Sequence, residues 1–323
     1  MNRLVKLVAG LAAGLWLASA QLANAQKLEP VRFGVDAYTT GSQIWVAKEK
    51  GYFAKEGIDA QVTTFATGVE AIDALLIGRG DMAVGLDFPI VSRIQGGKLT
   101  VLAGIFHSAP GFHKLVVANN IKEPKDLIGK RIGIATGTAE HLITMRYLEL
   151  NGIAENQVEI VGFTSLMEIV ASLRSGRIDA SFVWADGTQK SIDGGKHYVL
   201  VDDSAAKRNS SAYIVAATDF TEKNPELTVA TLRALNQASD FIKSNPDEAA
   251  DIIAKATRAP RDTMRELLKH NEFGLALTDY ERTGFKEVSD FLAKTKAQSV
   301  TFENGVNPKF LSEAAPDLVN LGN

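Results

Sequence analysis

The chain has 323 residues, 46% of them hydrophobic and 23% charged, with a formal net charge of −3. At roughly 150 residues per domain this is a two-domain length, too apolar for a disordered chain and too charged for a polytopic membrane protein. Without a basic excess nucleic acid is not an expected partner, and the absence of cysteine excludes disulfides, thiolate metal sites, thiol nucleophiles and Cys-linked lipid.

Residues 1–25 read as an export signal. Arg3 and Lys6 precede an apolar run from Leu7 to Ala20, and Ala23-Asn24-Ala25 is a small-x-small cleavage site. Its removal leaves residues 26–323 with a net charge of −5 and no second apolar run of about 20 residues, so the expected product is soluble. With no Cys to carry a lipid anchor, retention near the cell points to a bacterial periplasm.

The mature chain alternates strands and helices. Val31 to Asp36, Gln61 to Ala66, Met82 to Leu86, Thr100 to Phe106 and Leu115 to Ala118 read as strands, with helices over Trp45 to Lys55 and Val69 to Ile77. The order restarts at Arg131 to Ala135, followed by a helix over Glu140 to Leu150, a strand over Val158 to Val161, a helix over Met167 to Leu173 and a strand over Ser181 to Trp184. Tyr198 to Val201 and Tyr213 to Ala217 are later strands. The strands are apolar on both faces, as in covered parallel sheets. From Thr221 onward the pattern is nearly all helical, with Asn capping before Pro at Asn224-Pro225, Asn245-Pro246 and Asn307-Pro308.

A shift of 98 residues superimposes two segments. Glu70, Leu75, Gly78, Arg79 and Asp81 fall on Glu168, Leu173, Gly176, Arg177 and Asp179, and Thr67 falls on Ser165. Each copy is a capped helix, a Gly-Arg-x-Asp turn and an apolar strand, which suggests two related α/β lobes facing one cleft.

Four segments carry a resemblance: Trp45 to Asp59 (WVAKEKGYFAKEGID), Gly78 to Asp87 (GRGDMAVGLD), Pro124 to Gly137 (PKDLIGKRIGIATG) and Gly176 to Trp184 (GRIDASFVW). In these the chain resembles the type II periplasmic substrate-binding proteins of ABC importers, in the sulfonate, nitrate, taurine and thiamine-precursor group. The resemblance implies an α/β fold of two lobes, each a mostly parallel sheet flanked by helices, with the ligand cleft between them. The lobes are expected at residues 27–117 plus 213–323 and at 118–212. It also implies a monomer that delivers a small-molecule solute to an ABC permease and ATPase complex in the inner membrane, with no cofactor and no catalysis.

By position, the resemblance lines the cleft with Tyr38, Thr39 and Gln43 after the first strand, with Thr67 and Gly68, and with Asp87 and Phe88. From the second lobe come Gly137, Thr138, Ala139, Glu140 and His141, then Trp184 and Asp186. Trp184-Ala185-Asp186 departs from the aromatic-Asp-Pro run of the group. The Thr67-Gly68 and Gly137-Thr138 helix starts offer backbone N–H groups to an anion such as a sulfonate or carboxylate. Asp87, Glu140 and Asp186 instead favour an amine-bearing or pyrimidine-like solute. An enzyme resembling thiamine-pyrimidine synthases is the alternative from a different class. The five histidines show no metal-binding spacing, and His107 and His113 read as surface or capping residues.

Overall fold

A computed structural model describes residues 27–296 and 300–322. The signal assigned to residues 1–25 lies outside the described residues. Among the described residues no helix is long and apolar enough to cross a membrane.

Two sheets organise the chain. The first contains β1 (Glu29–Asp36), β2 (Ile58–Phe65), β3 (Met82–Leu86) and β4 (Leu99–His107). The chain then crosses to the second sheet, which holds β5 (His113–Ala118), β6 (Arg131–Ala135), β7 (Glu159–Phe163), β8 (Ala180–Trp184) and β9 (His197–Asp202). It returns through residues 203–210 to β10 (Ser211–Ala217), and β11 (Glu272–Thr278) and β12 (Val319–Asn320) complete the first sheet. The strand orders are β2-β1-β3-β10-β4-β11-β12 and β7-β6-β8-β5-β9.

Read from β2 and from β7, the first five strands of the two orders correspond. β1 lies parallel to β2 and β3, as β6 does to β7 and β8. The fourth strand of each is antiparallel to both of its neighbours: β10 to β3 and β4, and β5 to β8 and β9. Parallel pairing is therefore concentrated in the βαβαβ part of each sheet. The fourth strand is antiparallel because it enters from the other sheet. β5 pairs with β8 and β9, so residues 113–117 sit in the second sheet rather than with the first segment expected from the βα order.

The Gly-Arg-x-Asp repeat has a structural job. Asp81 accepts from the backbone N–H of Arg32 at 2.8 Å and from its Nη2 at 2.6 Å, clamping the turn after one helix to the middle of β1. Asp179 does the same to Arg131, at 2.9 and 2.8 Å, at the start of β6. The carbonyl of each aspartate then accepts from the end of the crossing strand, Ala217 or Ala118. Thr67 and Ser165 cap the preceding helices, Gly68–Leu76 and Leu166–Arg174. The second sheet alternates as strands should: Leu115 and Val117 pack on Tyr147 and Phe182, while Val116 faces the main core with Ala135 and Val183.

Three local expectations differ. The helix expected over Trp45 to Lys55 is two pieces, Ser42–Glu49 and Tyr52–Lys55, because Gly51 takes a left-handed φ of 71° between them. β11 interrupts the helical tail and adds to β4. Asn224 and Asn245 do not cap the helices that follow them; their side-chain amides donate back to Phe220 and Phe241 at the ends of the preceding helices.

Candidate functional site

The carboxyl ends of β1, β3, β6 and β8 converge on a cleft, where open α/β sheets bind ligands. β1 ends at Asp36, which is 6% exposed. Its carboxylate holds the turn that follows, accepting from the Tyr38 N–H at 3.0 Å and the Thr40 hydroxyl at 2.5 Å. Burial pushes the Asp36 carboxyl up, against the lowering effect of those two hydrogen bonds. The Tyr38 phenol is also pushed up, by burial and then by the charges of Asp36 and Asp186.

The helix Gly68–Leu76 starts at the cleft wall. Thr67 caps it through the Glu70 N–H at 3.4 Å, and Glu70 reaches back to the Ala66 N–H at 3.1 Å. Gly68 lies so close to β3 that a Cβ there would stand 3.1 Å from the Cα of Gly85. Opposite, β6 runs into Gly137, whose φ of 79° turns the chain into the helix Ala139–Leu150. The Thr138 hydroxyl donates to the Ala135 carbonyl rather than capping that helix. The two helix starts thus bring positive dipole ends to the two sides of the cleft.

Glu140 sits in the first turn and is 1% exposed. Its carboxyl accepts from the Ala135 N–H and from the Thr144 hydroxyl, both at 2.7 Å. Desolvation outweighs these bonds and raises its pKa to about 8, so it is mostly a neutral acid at pH 7. Aromatic faces complete the cleft. Trp184 meets Tyr38 and His113 edge-on, each at 6.0 Å between ring centres. Phe112, Leu86 and Pro89 add apolar surface.

Seven of the fourteen expected residues line this space: Tyr38, Thr67, Gly68, Thr138, Ala139, Glu140 and Trp184. The others lie behind or beside it. Thr39 is buried, its carbonyl accepting from Ser42. Gln43 is buried and donates to the Ile105 carbonyl. Asp87 is turned inward and pairs with Arg208 Nη2 at 2.5 Å, so it is not presented to a solute. Phe88 is buried against His141 and Phe291. The Gly137 N–H donates to His141 Nδ1 at 3.3 Å, so it is not free for an anion. Asp186 pairs with Lys190 at 2.6 Å.

Asp36, Thr40 and His113 also line the cleft and escape the sequence reading. His113 is not on the surface: it is 2% exposed and its Nδ1 lies 3.4 Å from Asp203. His107, the last residue of β4, bridges to the buried Glu281 on the helix Asp279–Lys296, at 2.7 Å. A strand ending in Asp before a Thr-rich turn marks Asp36 and Thr40; nothing local marks His113.

The buried acids separate into two kinds. Asp87, Asp203 and Glu281 each face a cation-capable side chain, namely Arg208, His113 and His107. Asp36 and Glu140 are held by neutral donors instead, and both line the cleft, whose walls hold no lysine or arginine among the described residues.

Residues 39–249 match the family model described as NMT1/THI5 like. The taurine-binding periplasmic protein of Escherichia coli K12 is 29% identical over 260 residues, covering 76% of this chain and 79% of that protein. The formylaminopyrimidine-binding protein of Halalkalibacterium halodurans is 25% identical over 262 residues, covering 77% and 78%. Among solved structures, the alkanesulfonate-binding protein SsuA of Xanthomonas axonopodis pv. citri bound to MOPS superimposes with a TM-score of 0.74 at 17% identity, covering 86% of this chain and 98% of that one. With its two-sheet fold, as in periplasmic binding proteins, the chain belongs to the NMT1/THI5-like family.

Proposed function

We propose that the protein is the periplasmic solute-binding component of an ABC importer, and that its solute is a small organic sulfonate carrying an amine. The observation that carries the second part is the pairing in one cleft of two helix starts with two buried acids that lack cationic partners. The helix starts suit the sulfonate end. Asp36, with the Tyr38 and Trp184 rings nearby, suits the ammonium end. Glu140 is largely neutral at pH 7, so it does not repel an anion at its own helix start. The taurine-binding relative supports the class, and relatives named as binding proteins favour capture over catalysis.

On this reading the lobes meet at the crossings 108–112 and 203–210, and closure around the solute presents the closed form to the permease and ATPase. A second reading, an amine-bearing pyrimidine without an acid group, draws on the same two carboxyls and on the formylaminopyrimidine-binding relative.

A thermal-shift panel of taurine, ethanesulfonate, ethylamine and an aminopyrimidine tests this, because a ligand at 100 times its Kd adds about 2.7 kcal/mol of stability. Taurine is expected to raise the melting temperature most, ethanesulfonate less and ethylamine least. Stabilisation by the aminopyrimidine alone would overturn the sulfonate assignment.

A further inference from the structure

We propose that His113 contacts the acidic group of the solute, and that Asp203 is its positioning residue, tying that contact to both crossings between the sheets. The inference rests on the sulfonate reading above and adds a side chain that neither helix start supplies.

His113 opens β5 directly after the crossing 108–112, and it pairs in register with Trp184 at the end of β8. That register puts it at the mouth of the second sheet, in the cleft wall. Its ring packs between Phe112, at 4.9 Å, and Trp184, at 6.0 Å. Nδ1 faces Asp203 Oδ2 at 3.4 Å. The imidazole places its two nitrogens on opposite sides of the ring, so with Nδ1 toward Asp203 the Nε2 edge points away from that carboxylate. Asp203 beside Nδ1 leaves Nε2 as the ring nitrogen that meets the acidic group of the solute. Among the described residues the cleft walls hold no lysine or arginine, which makes this imidazole the basic side chain those walls offer. The titratable groups around it are Asp203 behind, Glu140 after β6 of the same sheet, and Asp36 and Tyr38 from the first sheet.

Asp203 does more than orient the ring. It lies on the return crossing, is fully buried, and accepts from the backbone N–H of Gly111 at 2.6 Å and of His113 at 2.9 Å, both at the outward crossing. One carboxylate therefore binds the two connections to each other and to a cleft side chain. A solute held by His113 is joined through a single residue to the segments about which the lobes would move.

The test is calorimetry with taurine and ethanesulfonate on the full mature chain and on three variants. His113→Phe keeps a flat ring and should lose at least about tenfold in affinity for both sulfonates, the order of one charge-assisted hydrogen bond. His113→Gln, which restores a donor near the Nε2 position, should recover part of that loss. Asp203→Asn should weaken binding less than His113→Phe does. A purely structural role would instead lower stability while leaving the affinity unchanged below the melting temperature. Titrating ethanesulfonate into parent chain with 15N-labelled histidine should also move one histidine ring resonance, a readout that survives if the variants fail to fold. Parent-like sulfonate affinity in His113→Phe, or no shift at any of the five histidines while the parent binds, overturns this inference and leaves the sulfonate reading standing. A parent that binds neither sulfonate overturns both.

Discussion

Replacing Glu140 by Gln should stabilise the protein, by an amount that grows with pH. The carboxyl sits at about 8 in the fold, against 4.5 for an ordinary glutamate. Between those values the folded chain keeps a proton that the unfolded chain has released. Stability therefore falls as pH rises, at about 1.4 kcal/mol per pH unit, and stops falling once the folded carboxyl is ionised. At pH 7 the loss is roughly 3 kcal/mol, and above pH 8 it approaches roughly 5 kcal/mol. Gln has nearly the same shape; its carbonyl can accept from Ala135, and its amide can donate to the Thr144 hydroxyl in place of the bonds now made at 2.7 Å. Its second amide N–H is left buried, a cost of about 1 kcal/mol. The net gain should be about 2 kcal/mol at pH 7, larger at pH 9, and absent near pH 4.5. Urea unfolding of parent and variant at pH 5, 7 and 9 measures it. A difference that stays constant across that range would show that Glu140 titrates as an ordinary carboxylate, and the account of its environment would fail.

Asp87→Asn should cost about 1.5–3 kcal/mol in chemical denaturation, because Arg208 keeps Glu287 at 2.6 Å but loses its buried charge-assisted bond to Asp87 at 2.5 Å. Asp81→Ala and Asp179→Ala should each cost about 2 kcal/mol, and similar amounts, because each removes the same clamp of backbone N–H and guanidinium on a parallel strand. Gly137→Val should destabilise the loop by about 1–3 kcal/mol, since a β-branched residue resists a φ of 79°. Because the turn sets Thr138, Ala139 and Glu140 in the cleft wall, it should also weaken taurine binding by about tenfold in calorimetry; unchanged affinity would show that the position of this turn does not matter to the solute.

Much of the frame was legible in the residues. Met82–Leu86 and Arg131–Ala135 are short apolar runs bounded by charged and glycine-bearing turns, and both are strands with those ends. One copy of the Gly-Arg-x-Asp repeat falls at each sheet, but the pattern did not give the reason for its aspartates, which bond to arginines 48 and 49 positions earlier. β11 was hidden because its EFGLALT segment lies between long helices and gains strand character only by pairing with β4. The site was less legible for a related reason. Asp36, Asp87 and Asp186 all end or follow an apolar strand, so local pattern cannot rank them. Their partners separate them: Asp87 meets Arg208 from 121 positions away, Asp186 meets Lys190 one helical turn on, and Asp36 meets only its own turn. His113 was missed on the same ground, since Asp203 stands 90 positions off.

That contrast bears on why the cleft has its chemistry. A buried carboxylate without a positive partner is costly, and a fold under selection for stability alone would pair it or replace it. Here the pairing is made wherever the acid is part of the frame. Arg208 answers Asp87 and also reaches Glu287 on the long helix behind it, at 2.6 Å. His107 answers Glu281, whose carboxyl is held below its ordinary range by hydrogen bonds from His107 and Thr278 despite its burial. Asp36 and Glu140 move the other way, both upward, with burial as the largest cause. Desolvated acids facing one concave surface are the pattern expected where a ligand supplies what the protein withholds. A solute amine near Asp36 would lower that carboxyl again, so binding should release a proton where Asp36 begins partly protonated. Calorimetry of taurine binding in two buffers of different ionisation enthalpy, repeated over pH 5 to 8, reads that proton directly. Ethanesulfonate, which has no amine, should not show it. Equal proton release by the two sulfonates would remove Asp36 from the amine contact.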